Sequence, residues 1–190
     1  VTGRESLKGV GGTRHCDWWF TSDAVFIDTA GRYITHESNA QQDKDEWFGF
    51  LGLLKRFRPR QPLNGAILTI SIADLLGGTE QSCERHAAII RARLKELGDG
   101  LGINFPIYVL ITKADLLGGF IDYFSTLPKE ERDQVLGFTI AEYSENASSL
   151  KSTIKNELDL IARRLFNGLP ELVVNETDVS RRAHSFAFPQ

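Results

Sequence analysis

Residues 24–32 read Ala-Val-Phe-Ile-Asp-Thr-Ala-Gly-Arg, an apolar run that ends in an acid, a threonine and a glycine. Four apolar residues, of which Val25 and Ile27 are β-branched, suit a strand buried on both faces of a sheet. The sequence Asp28-Thr29-Ala30-Gly31 then breaks the pattern at the strand's end. In open α/β sheets ligands bind beyond the carboxyl ends of the strands. An aspartate there can hold Mg²⁺ directly or through water, and a glycine lets a backbone N–H approach a phosphate. Asp28, Thr29 and Gly31 are therefore the first candidate binding residues.

Upstream, residues 16–20 are also strand-like, and the polar Thr21-Ser22-Asp23 joins them to the acid-ended strand, so the two runs predict a β-hairpin. Residues 1–15 carry Gly3, Gly9, Gly11 and Gly12 and read as a loop ending in Gly11-Gly12-Thr13. Downstream, a polar stretch reaches Lys44. A helix is expected over 45–57, with acids at its start and Lys55 and Arg56 at its end, matching the helix dipole. Its Trp47, Phe48, Phe50, Leu51, Leu53, Leu54 and Phe57 exceed one stripe, so it is either widely buried or covers a partner.

Two further buried-type strands are expected over 65–73 and 106–112, separated by an amphipathic helix over 79–97 that Gly98 stops. A small echo follows them: Ala73-Asp74-Leu75-Leu76-Gly77-Gly78 recurs as Ala114-Asp115-Leu116-Leu117-Gly118-Gly119. Each copy follows an apolar strand and precedes helical sequence, which reads as two similar turns at one sheet edge. Residues 119–182 are mostly helical, with a stripe of Leu150, Ile154, Leu158, Ile161 and Leu165 over 149–166 ended by Asn167-Gly168, and 183–188 is read as one more strand. Strands alternating with helices predict an α/β domain over 1–190 with a mainly parallel sheet, flanked by helices, and the hairpin as its antiparallel edge.

At 190 residues, 42% hydrophobic and 25% charged, the chain can bury one sizeable core. A net charge of −3 gives no general affinity for nucleic acid or an anionic membrane surface, so phosphate recognition would be local. Cys16 and Cys83 have no C-x-x-C partner and the four histidines form no metal-ligand pair, which fits a reduced compartment. The longest apolar stretches fall short of the roughly 20 residues a membrane span needs. Methionine is absent and Val1 opens a loop-like stretch, so a segment of a longer polypeptide is expected.

Asp28-Thr29-Ala30-Gly31 resembles the Walker B/switch II motif of P-loop GTPases, and Thr112-Lys113-Ala114-Asp115 is similar to their guanine-reading (Asn/Thr)-Lys-x-Asp motif. The Asp115 carboxylate can accept from both N1–H and the 2-amino group of guanine, while the methylenes of Lys113 can lie along the base. Thr112 replaces the commoner asparagine, which removes one amide contact. By the same resemblance Thr13 takes the place of the switch I threonine that ligates Mg²⁺, unless it is an ordinary loop residue. Arg32 follows the switch II glycine and would act on a transition state only by charge, or else pair with a nearby acid.

A narrower likeness covers nearly the whole chain. Residues 11–20 (Gly-Gly-Thr-Arg-His-Cys-Asp-Trp-Trp-Phe), Asp28-Thr29-Ala30-Gly31-Arg32-Tyr33, Ile72-Ala73-Asp74-Leu75-Leu76 and the closing Phe186-Ala187-Phe188-Pro189-Gln190 resemble the IcmF/TssM-type proteins of bacterial type VI secretion systems. The resemblance implies a cytoplasmic NTPase-like domain on the inner membrane, anchored through regions outside this segment. Its implied partners are secretion baseplate subunits and a TssL/DotU-type membrane protein. Mg²⁺ with GTP or ATP is expected for the full domain. No Gly-x-x-x-x-Gly-Lys-(Ser/Thr) occurs in 1–190, so this segment alone is expected to retain no nucleotide and to be inactive. Two alternatives stay open: a scaffold that keeps the fold without hydrolysis, and a fragment of an SRP-type targeting GTPase, which also carries Asp-Thr-Ala-Gly-Arg and Thr-Lys-x-Asp.

Overall fold

Strand β1 (Cys16–Phe20) and strand β2 (Val25–Thr29) form an antiparallel hairpin in a computed structural model that describes residues 16–31, 40–140 and 147–189. The turn is organised by Thr21. Its hydroxyl donates to the Ala24 carbonyl at 2.9 Å and accepts from the Ala24 N–H at 2.9 Å, while its own N–H also reaches the Ala24 carbonyl. That closure sets the register: Cys16 opposite Thr29, Asp17 opposite Asp28, Trp18 opposite Ile27, Trp19 opposite Phe26.

Helix α1 (Ala40–Phe57) follows, then strand β3 (Ala66–Ser71), helix α2 (Ile72–Gly77), helix α3 (Glu80–Leu101) and strand β4 (Ile107–Thr112). A 3₁₀ turn (Ala114–Leu116), helix α4 (Phe120–Ser125), helix α5 (Lys129–Arg132), helix α6 (Ala147–Asn175) and helix α7 (Val179–Ala187) complete the order. The architecture is mixed α/β, with β1–β2 antiparallel and β3–β4 parallel. Among the described residues these are two separate two-stranded sheets, not the single mainly parallel sheet expected from the strand order.

The chain divides into two compact units, one of residues 1–69 and 77–110, the other of residues 70–76 and 111–190. In the first, Trp47, Leu51 and Leu54 on one face of α1 pack with Leu101 of α3 and with Ala30, joined by half-buried Ile27, Phe50, Leu63, Leu97 and Ile103. The spacing of 47, 51 and 54 is one helical stripe. Phe48, Leu53 and Phe57 lie off it and are exposed. Helix α3 starts on Thr79, whose hydroxyl accepts from the Ser82 N–H, and it runs past Gly98. Gly102, in the left-handed region, closes it instead by donating its N–H to the Gly98 carbonyl at 2.8 Å.

In the second unit, Tyr123 of α4 and Leu169 of α6 are buried, and Phe120, Tyr123 and Phe124 pack edge-on or tilted against Phe188. Two expectations fail here. The stretch 183–188 is not a strand: Asp178 caps α7 by accepting from the N–H groups of Ser180 and Arg181, and Phe188 then packs on α4. Helix α6 does not stop at Asn167-Gly168 but carries Pro170 inside it and ends at Asn175. Gly168 leaves room for Tyr123, whose hydroxyl would lie 3.0 Å from an added Cβ there and which donates to the Leu165 carbonyl at 2.8 Å.

The apolar strands are also less covered than their composition implies. Val25 and Phe26 of β2 and Ile107, Tyr108, Val109, Leu110 and Ile111 of β4 are exposed. A strand reads as doubly buried only where neighbours lie on both faces, and within the described residues those layers are incomplete.

Candidate functional site

The candidate residues fall into two groups, each at the end of a strand. In the first unit, Asp28 and Thr29 close β2, and the chain passes through buried Ala30 into exposed Gly31. Ala30 fixes this end in the core. Beyond it, a Cβ added to Gly31 would meet nothing within 4 Å, so the backbone there is open to approach. Thr13 and Arg32 lie outside the described residues.

The hairpin register brings in a residue that motif reading missed. Asp17 stands directly opposite Asp28, so two carboxylates share one face of the ladder. Like charges placed directly opposite each other work against the pairing of the ladder. The same charges act on Cys16, whose thiol is pushed above its usual range by burial first and by Asp17 and Asp28 next. The three-residue connection read from the sequence would pair 17 with 27; the hairpin instead turns over four residues, 21–24, and that shift of one brings Asp17 opposite Asp28.

In the second unit, Thr112 ends β4 with its hydroxyl 3.4 Å from the Ile70 carbonyl of β3. Lys113 then adopts φ 57°, ψ 35°, the one non-glycine residue with positive φ among those described. A left-handed lysine costs on the order of 1 kcal/mol and reverses the chain sharply. The 3₁₀ turn follows, closed by Leu116 N–H on the Lys113 carbonyl and Leu117 N–H on the Ala114 carbonyl, both at 3.0 Å. Lys113 and Asp115 are thereby both displayed to solvent on one turn at the strand's carboxyl end.

Because β3 and β4 run parallel, the two copies of Ala-Asp-Leu-Leu-Gly-Gly lie at the same end of this pair, the first wound into α2 and the second into the 3₁₀ turn. The structure thus groups Thr112, Lys113 and Asp115 in one place, and Asp28, Thr29 and Gly31 in another, one group per unit. Among the described residues no cluster of three or more His, Cys, Asp or Glu could hold a metal ion, and no helix is long and apolar enough to cross a membrane.

The fold is mixed α/β, and comparison with known proteins identifies the family. Residues 40–190 match the IcmF-related N-terminal domain, and the chain belongs to this IcmF/TssM-type family. It is 48% identical over 189 residues to the type VI secretion system component TssM1 of Pseudomonas aeruginosa. That alignment takes in 99% of this chain but 17% of the relative, so the chain spans about a sixth of the longer protein. No solved structure matches it.

Proposed function

We propose that this chain is the nucleotide-binding, partner-docking part of a type VI secretion membrane-complex component, working on the cytoplasmic face of the bacterial inner membrane. The observation that carries the reading is the 48% identity to a type VI component along 99% of the chain, extending through both strand-end motifs. The turn after β4 supports its nucleotide half. A carboxylate on a short, backbone-closed turn beside an exposed lysine stem fits the edge and face of a purine. Guanine suits it better than adenine, because only guanine offers two adjacent donors to one carboxylate.

Mg²⁺ takes oxygen ligands of the kind a carboxylate and a hydroxyl supply. Asp28, with Thr13 as a second ligand, would hold the ion, which would neutralise phosphate charge when bound. Thr29 and Gly31 would line the phosphate side. Arg32 would add positive charge near a transition state without acting as a base. The phosphate cradle itself would come from polypeptide outside residues 1–190, since no Walker A sequence occurs within them. Bound nucleotide would then bias the loops next to the hairpin and control docking of baseplate subunits and a TssL/DotU-type membrane protein.

The test uses the full-length protein. Asp28→Ala and Asp115→Ala are each expected to lose nucleotide binding, and with it secretion and co-purification of baseplate subunits. Loss of binding with secretion and docking intact would reject the switch and leave the scaffold reading. Co-purification of signal peptides or ribosomes in place of secretion subunits would favour a targeting GTPase.

A further inference from the structure

Residues 55–60 read Lys-Arg-Phe-Arg-Pro-Arg, four cations with no acid among them in a chain whose net charge is −3. Lys55 and Arg56 sit in the last turn of α1, where positive charge complements the helix dipole. Arg58 and Arg60 lie beyond the helix end, so that account covers only half of the cluster. All four are exposed, and none of them pairs with a carboxylate among the described residues. Lys55 donates to the Gly100 carbonyl and Arg58 to the Asn64 side-chain oxygen, both at 3.4 Å. Those acceptors are neutral, so neither contact offsets a charge.

The cluster is held from both sides. Leu54 belongs to the core, and the Arg58 N–H donates to its carbonyl at 2.9 Å. Pro62 is fully buried and Leu63 packs against the core. The chain therefore leaves the core at Leu54 and returns at Pro62, with 55–61 as an exposed tip between two anchors. On that tip Phe57 is 75% exposed, and Leu53, four residues earlier on the same side of α1, is 54% exposed. The Arg56 guanidinium lies over the Phe57 ring, 5.8 Å from its centroid, which keeps a charge beside the apolar surface.

We infer that this tip docks on an anionic bilayer, with Arg56, Arg58 and Arg60 on lipid phosphates and Phe57 at the boundary between headgroups and acyl chains. Interfacial anchors combine these two features, a group of cations and an exposed aromatic ring. A free phosphate would match the charges and leave Phe57 in water, whereas a bilayer supplies an anionic surface with hydrocarbon beneath it. The rest of the chain is net negative, so an anionic surface orients the molecule on this tip. Each cation near such a surface is worth about fivefold in partition. That makes the tip a second anchor, effective for a polypeptide already tethered to the membrane. The inference rests on the membrane location proposed above and not on nucleotide binding.

The experiment reconstitutes the full-length protein in vesicles of phosphatidylethanolamine with phosphatidylglycerol, and separately in phosphatidylcholine alone. p-Benzoylphenylalanine replaces Phe57, is irradiated, and its adducts are identified by mass spectrometry. Phospholipid adducts are expected in the anionic vesicles. They should fall at least about fivefold in phosphatidylcholine, and likewise in an Arg58→Gln, Arg60→Gln double variant. The same change at exposed Arg163 and Arg164 should leave them unaltered. On the unsubstituted protein, phenylglyoxal should modify Arg58 and Arg60 more slowly in anionic vesicles, measured against Arg163 in the same molecules. Adducts to protein in place of lipid, equal lipid adducts in both vesicles, or equal phenylglyoxal rates would overturn the inference. Full-length protein recovered from cells apart from the membrane would overturn both this inference and the location proposed above. Membrane-bound protein without a lipid adduct at position 57 would overturn this inference alone.

Discussion

Cys16 reports on the charges around it. Burial raises its thiol's pKa, and the acids at 17 and 28 raise it further, so at mildly alkaline pH the side chain stays a thiol where a free cysteine is already becoming thiolate. The sign follows from linkage. A group whose proton is held more tightly when folded stabilises the fold below its ordinary pKa, and that contribution is lost as pH rises through the raised value. In a Cys83→Ser background, Cys16 alkylation should therefore need higher pH than a model thiol. Asp17→Asn or Asp28→Asn should shift the profile back toward neutral, and an unchanged profile in both would show that the register places the carboxylates wrongly. Gly119 is a second single-residue case. At φ 81° an added Cβ would collide with the His184 carbonyl, so Gly119→Ala should lower stability by more than about 1 kcal/mol in a denaturant titration.

At the scale of elements, caps and buried hydroxyls decide where helices start and how they pack. Thr79→Ala removes the acceptor for the Ser82 N–H and should cost about 1 kcal/mol, read as a lower urea midpoint with unchanged slope. Tyr123→Phe removes the donor to Leu165 beside Pro170 and should cost about 1 kcal/mol. Helix α7 should be acid-sensitive. The Asp178 carboxyl is held below its usual range by the N–H groups of Arg181 and Ser180, so its stabilisation is present above the ordinary aspartate pKa and lost as pH falls through the lowered one. Loss of the α7 contacts on acidification, followed by the Phe188 aromatic signals, checks this, and Asp178→Asn should blunt it.

These elements also mark what the sequence can and cannot disclose. The hairpin was legible because two strand-length runs flank a polar connection whose length admits few registers. Helices α1 and α3 were legible from their apolar stripes, and Thr79 stood at the right place to begin one. Their ends were less so, since Gly98 looks like a stop only until Gly102 is found to supply the left-handed cap. The strand expected at 183–188 failed because Phe186 and Phe188 alternate locally, while the cap that starts a helix lies five residues upstream of Ala183 at Asp178. Helix α6 continues past Pro170 against the local signal of Asn167-Gly168, and its contact with Tyr123, 42 residues from the carbonyl it engages, is encoded by no local pattern. Of the candidate site, Asp28 and Asp115 were both expected at strand ends, and both stand there. Asp17 was missed because its importance comes from pairing, not from a motif.

For the whole molecule, membership of the IcmF-related family ties the chain to a relative far longer than itself. The central claim is that the turn after β4 reads a guanine through Asp115. An aspartate accepts two hydrogen bonds from N1–H and the 2-amino group, whereas an asparagine would accept one and donate one, matching a 2-oxo purine instead. Equilibrium titration of the full-length protein with GTP and with xanthosine triphosphate, in the presence of Mg²⁺, tests this most directly. The account predicts that Asp115→Asn weakens GTP by at least about tenfold, the value of one lost charge-assisted hydrogen bond, and gains affinity for xanthosine triphosphate. Equal GTP binding by both proteins, or binding by neither, would contradict it.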